Sequence, residues 1–382
     1  MLIFYLFCVT MICRAIENNY TEMNSKELSH DNKNIVYQRV WEKIRLRVKT
    51  SIMKNGGKLG NLNVHFKLIC FFSIVCSSVW IAWSTNIFWL SCLATIITGV
   101  FLLLLVINGA HDASHGVLFR SSWANTFYLI SSFALLGIDG ILWKLRHIQA
   151  HHRNTNVHNV DPDIMENIFL RLSPTHQYRS HFRWQAIYAP FLYLIALPHT
   201  FLVQDFEHLA LRNLPYIKKI PNFKVAWLRA LSLKLIPFVV FLFVPVIIFQ
   251  FDLIKSFAVF FFSQVSASLF FVWTVSLNHF VVGTEFHKQE PGGNWFNRQR
   301  LASADWNGDS YFYVWWMGGA NAHLAHHLFP GASHRHLVQI SKIIYEECDS
   351  AGLSLLKFRF WEGVQSHYKL LNELGKGKSN LI

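Results

Sequence analysis

The chain has 382 residues, of which 52% are hydrophobic and 15% are charged, and its mean hydropathy is +0.27. Soluble domains carry about 25% charged residues, so this composition excludes an ordinary soluble domain and indicates an integral membrane protein. The formal net charge of +13 does not indicate nucleic-acid binding, because basic residues beside apolar segments more often mark cytoplasmic loops that contact membrane lipids.

The first 65 residues are expected to form a cytoplasmic, flexible segment. They begin with an apolar run, residues 1–13, which is shorter than a membrane span and lacks the basic start of a signal peptide. We interpret this run as a weak membrane anchor or as sequence upstream of an alternative start at Met23. Eight basic residues follow between Arg39 and Lys67, and their nearness to the first apolar segment indicates contact with lipid headgroups.

Four uncharged segments are predicted to cross the membrane as helices: residues 68–83, 87–107, 236–251 and 256–278. Short turns join the first two and the last two, so each pair is predicted to form an antiparallel hairpin. The first turn has no Lys or Arg whereas its outer flanks are basic, which places the histidine-rich ends on the cytoplasmic side. The predicted fold is therefore all-α, with two transmembrane hairpins (four spans) and a cytoplasmic histidine-rich cap. The membrane domain is expected to cover residues 66–345, and residues 346–382 a C-terminal cytoplasmic tail.

Two further apolar stretches are expected to be interfacial or re-entrant, because polar or helix-breaking residues interrupt or flank them. Residues 127–143 contain Asp139-Gly140, and residues 191–203 contain Pro198-His199.

Histidines are concentrated in three short segments beside the predicted spans. They are His111 and His115 in HDASH, His147, His151 and His152 in HIQAHH, and His323, His326 and His327 in HLAHH. Each segment has a pair four residues apart, which shares one helix face. In the middle segment this spacing lets the three imidazoles converge on one point.

Imidazole clusters without thiolates suit iron, copper, zinc or nickel, and the six cysteines form no CxxC pair. Eight histidines exceed the needs of one metal ion, and His279 at the end of the fourth span makes nine. A structural zinc would take four ligands and usually includes cysteine. The pattern therefore predicts two metal ions. Seven dispersed histidines are interpreted as background: His65, His158, His176, His181, His199, His208 and His287.

Polar residues next to the histidines are candidates for holding the imidazoles in one tautomer, and Asp112, Asp161 and Asp163 are the nearest. Helix capping and turn formation explain Asp161 and Asp163 equally well. Asn278 is expected either to hold a metal-bound water or to cap the fourth span.

The motifs HDASH, HIQAHHRNTN with DPDI, NHF, GGNWFNRQ and WWMGGANAHLAHHLFP together resemble those of the membrane fatty acid desaturases, nearest the front-end, acyl-lipid branch. The resemblance covers residues from about 66 to 345. It implies a centre of two iron ions that uses O₂ to remove hydrogens from an acyl chain, leaving a double bond, with no catalytic residue beyond the metal ligands. Those ligands would be His111, His115, His147, His151, His152, His279, His323, His326 and His327.

The chain departs from that branch in three places. Its middle histidine segment reads HxxxHH instead of HxxHH, and His323 stands where front-end enzymes commonly have glutamine. A fused cytochrome b5-like domain with its HPGG motif is not expected, because residues 290–293 read EPGG and lack the haem histidine.

The resemblance implies partners as well as chemistry. The electron donor is expected to be a separate ferredoxin, or a cytochrome b5 with its reductase. The substrate is expected to be an acyl lipid, an acyl-CoA or an acyl carrier protein. The membrane is expected to be a bacterial inner membrane or the endoplasmic reticulum, with the active site on the cytoplasmic side.

Two alternatives stay open from the sequence. A lipid hydroxylase or ketolase of the same superfamily would use the same irons but return oxygen to the carbon. A non-enzymatic metal carrier or haem cytochrome would place its histidines within the spans, whereas these clusters are predicted to lie outside them. Five aromatic residues near the clusters are interpreted as packing or interfacial residues and not as the acyl path: Trp143, Phe271, Trp273, Trp315 and Trp316.

Overall fold

The computed structural model describes residues 30–211, 218, 220–289 and 293–378. Nearly all regular structure in this part of the chain is helical, which confirms an all-α membrane architecture at the level of secondary structure. The exceptions are two three-residue strands, Ala304–Trp306 and Leu356–Phe358, which pair in parallel. The apolar run 1–13, the alternative start at Met23 and most of the EPGG motif lie outside the described residues.

Among the residues that the structure describes, four helices are long and apolar enough to cross a membrane, as predicted. In chain order, the first to fourth spans are Leu62–Ser84, Phe88–Ser114, Phe223–Ile248 and Leu253–His279. Three residues connect the first span to the second, and four connect the third to the fourth. Within each of these pairs the helices pack against each other, and the second span also packs along the fourth.

The first and third spans begin earlier than predicted because each contains a buried lysine that has polar partners. Lys67 Nζ lies 2.7 Å from Asn108 Oδ1 and 2.8 Å from the Trp315 carbonyl oxygen. Lys234 Nζ lies 2.5 Å from Asp205 Oδ2. A charged residue is tolerated in a transmembrane helix when it has a polar partner inside the protein. A prediction that ends each span at the first charged residue therefore starts these helices too late.

The main hydrophobic core lies between the first, second and fourth spans, where Phe71, Leu102 and Phe260 are almost fully buried. The second and fourth spans approach very closely at Gly99. A Cβ at this position would lie 2.0 Å from the Ser263 carbonyl oxygen, so any larger residue would force the two helices apart.

Both of the other apolar stretches are broken, the first before Asp139-Gly140 as predicted and the second at residue 195, three residues before the predicted Pro198-His199. The helix Ser122–Ala134 ends before Asp139, whose carboxylate accepts hydrogen bonds from the backbone amides that begin Gly140–Leu145. The segments Ser180–Leu194 and Ala196–Ala210 meet at a bend of 63°. The pair is either a broken fifth span or a re-entrant loop.

The N-terminal helix, His30–Lys54, packs against the helix Leu337–Ser350 through Val40, Ile44 and Val48. The C-terminal helix, Phe360–Gly375, packs against the fourth span and against residues 180–194. Its His367 Nδ1 contacts the Phe280 carbonyl oxygen at 2.6 Å. The helices His30–Lys54 and Phe360–Gly375 thus belong to the folded body around the spans.

The remaining α-helices of the described residues are Trp295–Ala302, Tyr311–Trp316 and His323–Leu328, with the short pieces Gln185–Leu194, Ala196–His199 and Asp205–Ala210. The 3₁₀ turns are Pro162–Ile164, Ser180–Trp184 and His334–His336. Wider, π-helical segments occupy Val106–Ala110, Arg146–His151, Thr200–Gln204 and Val239–Ile248.

Candidate metal centre

The structure brings all nine candidate histidines into one cluster at the ends of the second and fourth spans. Ring nitrogens of four of them lie within 4.8 Å of one another in a first group: His111, His115, His147 and His326. A second group has the same property: His151, His279, His323 and His327. His152 adjoins the first group, because its Nε2 lies 3.0 Å from His147 Nε2 and 2.9 Å from His326 Nε2.

The three imidazoles of the middle segment do not converge on one point, so that expectation was wrong. The segment Arg146–His151 is a π-helix, in which the His152 amide bonds to the His147 carbonyl five residues earlier. This wider turn places His152 next to His147, beside the first group, and turns His151 towards the second. A second π segment, Val106–Ala110, lies directly before His111. Such segments are frequent at functional sites.

Two of the histidines lie within the helices that form the spans. The second span continues as a helix through its π segment to Ser114, so it includes His111, four residues beyond the predicted end of the span at residue 107. The fourth span ends at His279. The clusters therefore lie at the helix ends and are not all outside the spans.

The second group presents four nitrogen lone pairs to one small volume. His279 Nδ1 faces the Ala302 carbonyl oxygen at 2.8 Å, and His323 Nδ1 faces the Ala320 carbonyl oxygen at 3.1 Å. A carbonyl oxygen only accepts, so these Nδ1 atoms carry the protons and the neutral rings leave Nε2 bare. Yet His279 Nε2 and His323 Nε2 are only 2.7 Å apart. Two facing lone pairs at this distance repel, unless a cation or a proton lies between them.

The other two histidines of this group are oriented in the same way. His327 Nδ1 donates to Gln299 Oε1 at 2.8 Å, and the Gln299 amide orientation is fixed because its Nε2 donates to the His152 carbonyl. His151 Nδ1 lies 3.1 Å from both carboxylate oxygens of Asp161. All four Nδ1 atoms thus point outward to acceptors, and all four Nε2 atoms point inward.

The first group contains nitrogens that have no protein partner. His115 Nε2 and His152 Nδ1 are buried without a hydrogen bond. His111 Nε2 lies 3.1 Å from His147 Nε2. Metal–nitrogen bonds of about 2.1 Å at right angles separate two nitrogens by about 3.0 Å, which is close to the spacings seen in both groups. The donor set therefore fits two metal ions held mainly by imidazole.

Burial favours the neutral, metal-binding form of most of these rings. It lowers the pKa of His115 to about 3, and it lowers the pKa values of His326 and His327 well below that of a free imidazole. His151 differs: burial alone would lower its pKa, but Asp161 and Asp163 outweigh that effect and raise it to about 9.

The three candidate carboxylates occupy different places. Asp161 both supports His151 and forms the turn, because its oxygens also accept from the Asn156 and Asp163 backbone amides. Asp163 lies farther out, 3.5 Å from His151 Nδ1. Asp112 accepts hydrogen bonds from Ser333 Oγ and from the His334 backbone and ring, and so ties the first histidine segment to the loop after the third.

Asn278 is fully buried next to the second group. Its Nδ2 donates to the Ala320 carbonyl oxygen at 2.8 Å, the same oxygen that His323 Nδ1 faces. Its Oδ1 is buried and has no hydrogen-bond partner. The side chain therefore leaves one acceptor free beside the imidazoles.

Sequence reasoning missed three buried residues that shape the site. Gln299 connects the second histidine segment to the third through His327 and the His152 carbonyl. His334 lies between Asp112 and Lys67, 3.0 Å from the carboxylate and 2.8 Å from the ammonium nitrogen. Asp305 accepts from the Leu324 backbone amide and so fixes the start of the third histidine helix. The only signals in the sequence were the GGNWFNRQ motif and the SHRH stretch after the third segment.

A narrow, mainly apolar cavity of about 100 Å³ reaches the histidines from between the spans. Four histidines, two from each group, line one end: His111, His147, His151 and His323. Leu103 and Phe271 lie towards the other end, two helical turns deeper in the second and fourth spans. Trp143 and Phe271, interpreted from the sequence as packing residues, both line this cavity. None of the seven background histidines lies in either metal-binding group.

Comparisons with known proteins agree with these features. A family model described as fatty acid desaturase matches residues 87–359. The chain is 24% identical over 311 residues to the sn-1 linoleoyl-lipid 6-desaturase of Arthrospira platensis, a match that covers 79% of this chain and 82% of that protein. It is 28% identical over 280 residues to the acyl-lipid (8-3)-desaturase of Physcomitrium patens, covering 69% of this chain and 56% of the relative. It is 26% identical over 255 residues to fatty acid desaturase 3 of Homo sapiens, covering 64% and 52%.

Proposed function

Since the chain belongs to the fatty acid desaturase family, we propose that it introduces a double bond into the acyl chain of a lipid, with two iron ions held by its nine clustered histidines. The chain is thus an oxidoreductase of fatty acid metabolism and nearest the front-end, acyl-lipid branch. The observation that supports two irons most directly is the convergence of imidazole nitrogens in two adjacent groups, in one of which His279 Nε2 and His323 Nε2 lie only 2.7 Å apart.

The net reaction follows from electron counting. Reduction of O₂ to two waters takes four electrons, and formation of the alkene supplies two of them, so two electrons and two protons come from outside. When bound, the iron pair supplies the oxidising power for hydrogen removal from an unactivated methylene. A separate ferredoxin or cytochrome b5 is proposed as the source of the electrons.

The protein's own groups orient the ligands and the substrate. The Asp161 carboxylate, the Gln299 amide and the carbonyls of Ala302 and Ala320 hold the Nδ1–H groups and so aim Nε2 inward. The apolar cavity places acyl methylenes against His111 and the other lining histidines while excluding water. The substrate proposed is an acyl lipid, with acyl-CoA or an acyl carrier protein as the alternatives.

The orientation proposed is two transmembrane hairpins with the histidine cap in the cytoplasm. Basic residues flank the cap side of the first span, and the turn at residues 85–87 carries none. The membrane is a bacterial inner membrane or the endoplasmic reticulum.

Expression of the chain in a host with a defined fatty acid composition tests the activity. We expect fatty acids that have lost two hydrogens, detected by mass spectrometry of the total lipids against a host carrying the vector alone. Products that have gained an oxygen atom would instead support the hydroxylase alternative. Separation of lipid classes before hydrolysis would show which acyl carrier holds the new double bond.

Two iron ions per chain are expected in the purified protein. Each of the two histidine groups supplies at least four imidazoles, enough for one ion with room for oxygen ligands. Metal analysis of protein purified in detergent, normalised to amino-acid content, measures the ratio. A single zinc ion and no iron would contradict the proposed centre.

Gln299→Leu is expected to lower iron affinity and activity by about tenfold, because it removes the acceptor that holds His327 Nδ1–H. Gln299→Glu keeps an acceptor for His327 Nδ1–H and should lose less iron affinity and activity than Gln299→Leu. Gln264→Leu is the matched control: Gln264 is an equally buried glutamine of the fourth span whose amide atoms have no partner. Iron content and product yield are measured together. Equal losses in Gln299→Leu and Gln264→Leu would show a general packing effect.

Leu103→Trp is expected to shift the product towards shorter acyl chains. Leu103 lines the cavity eight residues before His111, on the order of 12 Å deeper in the second span, so an indole there fills the space for the far acyl carbons. The ratio of short-chain to long-chain product should rise about tenfold. Leu93→Trp, on an exposed position of the same span, is the control. An unchanged ratio in Leu103→Trp would place the acyl chain elsewhere.

A further inference from the structure

A groove on the outer surface of the cap lies directly over the end of the third histidine segment. It is formed by residues 42–53 of the N-terminal helix, by Lys58 and by residues 329–332, and its volume is about 570 Å³. We call it the basic groove. Its floor begins at Phe329, which follows Leu328 at the end of the helix that carries His326 and His327.

The groove has a net positive charge, because three basic residues and one carboxylate, that of Glu42, line it. Arg45, Lys49 and Lys58 are exposed, and no carboxylate pairs with them in the part of the chain that the structure describes. Arg47, on the same helix, differs because it binds Glu346 and Glu347 at 2.6 and 2.7 Å. The groove therefore presents positive charge to a partner, whereas the neighbouring face is already neutralised.

The centre of the groove is apolar. Leu46 and Met53 line it with 68% and 69% of their surface exposed. An exposed apolar centre with a charged rim is the usual composition of a protein docking surface, in which the rim speeds association and the centre holds the partner. Because the rim is positively charged, it favours a partner with an acidic surface.

The proposed function requires a partner that delivers electrons, and this inference rests on that function. Two external electrons are needed for each double bond, and electron transfer through protein slows steeply with distance. A donor must therefore dock close to the histidines. The floor of the basic groove is separated from His327 by one residue of the chain, Leu328, and Phe329 contacts Trp41 of the N-terminal helix, with ring centroids 5.3 Å apart.

We propose that the basic groove is the docking surface for a small acidic protein that carries one electron at a time. Charge at Lys49 and Lys58 steers the carrier, and contact with Leu46 and Met53 holds it while the electron passes through the segment that follows the third histidine helix.

The test uses the full chain in nanodiscs of phosphatidylcholine, with the soluble haem domain of cytochrome b5 and a plant-type ferredoxin as reduced probes. Oxidation of each carrier is followed against its concentration, with substrate and O₂ present, and the Kd of each carrier is measured separately by surface plasmon resonance. Lys49→Glu/Lys58→Glu is expected to raise the KM and Kd for at least one carrier about tenfold at low ionic strength, and less at high ionic strength.

Two further variants separate charge from structure. Leu46→Ser/Met53→Ser should raise Kd while leaving its salt dependence unchanged, because the rim charges remain. Arg179→Glu/Lys369→Glu makes the same change in net charge near the C-terminal helix, at exposed positions outside the groove, and should leave KM within about twofold of the parent. When the protein is first reduced by dithionite without O₂, excess dithionite is removed and O₂ is then added, all variants should form product in a single turnover as the parent does.

An unchanged KM and Kd for both carriers in Lys49→Glu/Lys58→Glu would overturn the proposal, and so would an equal effect of the control pair. An effect that appears only in nanodiscs containing anionic lipid would assign the groove to headgroups instead. If the parent forms no product even with dithionite, the proposed function fails, while the Kd values still decide the docking surface.

Discussion

Replacing His327 with glutamine is expected to abolish desaturation, whereas replacing His323 with glutamine is expected to leave measurable product. His327 belongs to the second group and also adjoins His152 beside the first: its Nε2 is 3.0 Å from His323 Nε2, and its ring centroid is 4.4 Å from that of His152. Its Nδ1–H is also held by Gln299. A glutamine at this position can reproduce neither the inward nitrogen nor the outward hydrogen bond.

His323 stands where related front-end enzymes commonly have glutamine. Glutamine has similar reach and offers a carbonyl oxygen, a weaker donor to iron or to a bound water. Beside it lies Asn278, whose Nδ2 is 3.2 Å from His323 Nδ1 and whose Oδ1 is buried without a hydrogen-bond partner. His323→Ala removes the donor altogether and should fall between the two glutamine variants.

Parallel expression of the three variants measures this difference, with fatty acid product normalised to the amount of the protein in the membrane. If His323→Gln were as inactive as His327→Gln, the analogy with front-end enzymes would fail for this segment. The third histidine segment would then require all three of its imidazoles.

Clustering in the sequence selected eight of the nine histidines that the structure brings together, and the end of the fourth apolar segment added His279, but neither signal divided them into groups. The i, i+4 argument assumes an α-helix, and it holds for His323 and His327, which share the second group. It fails for His147 and His151, because a π-helical turn changes the face on which each residue lies. Nothing in the amino-acid sequence of Arg146–His151 predicts a π-helical turn, because such a turn depends on the packing of the surrounding helices.

Span boundaries show a similar limit. The sequence predicted the four apolar helices by counting uncharged residues, and it stopped at Lys67 and near Lys234. Both lysines are buried in the spans because groups distant in the chain bind their ammonium groups: Asn108 and His334 are hydrogen-bond partners of the first, and the Asp205 carboxylate pairs with the second. A single sequence contains no signal for such a pairing, so the starts of both helices were placed too late.

The residues that orient the imidazoles were predicted only where they lie near a histidine in the chain. Asp161 is ten residues from His151 and was a candidate, whereas Gln299 is 28 residues from His327 and was not. The backbone carbonyl of Ala302 supports His279 equally well, and its contribution is independent of side-chain type. Tertiary contacts of this kind require the fold.

Asp161→Ala is expected to reduce activity about a hundredfold, and Asp161→Asn about tenfold. The two carboxylate oxygens hold His151 Nδ1 and accept from two buried backbone amides, those of Asn156 and Asp163. Alanine removes every one of these acceptors, which frees the ring and leaves buried donors unpaired. Asparagine keeps one oxygen for His151 but cannot accept with its nitrogen, so one backbone amide loses its partner.

Asp163→Asn is the matched control, because Asp163 is the other carboxylate near the same imidazole. Its side chain is 30% exposed, 3.5 Å from His151 Nδ1 and 3.6 Å from Arg146 Nε. Partly solvated ion pairs contribute little, so activity should stay within about threefold of the parent.

Iron content, activity and the absorption spectrum of the iron-loaded protein are measured for all three variants. If Asp163→Asn loses as much activity as Asp161→Asn while both keep their iron, the negative charge near His151 matters more than the hydrogen bond between His151 and Asp161. An unaltered spectrum with reduced folding yield in Asp161→Ala would show that Asp161 stabilises the turn and does not tune the ligand.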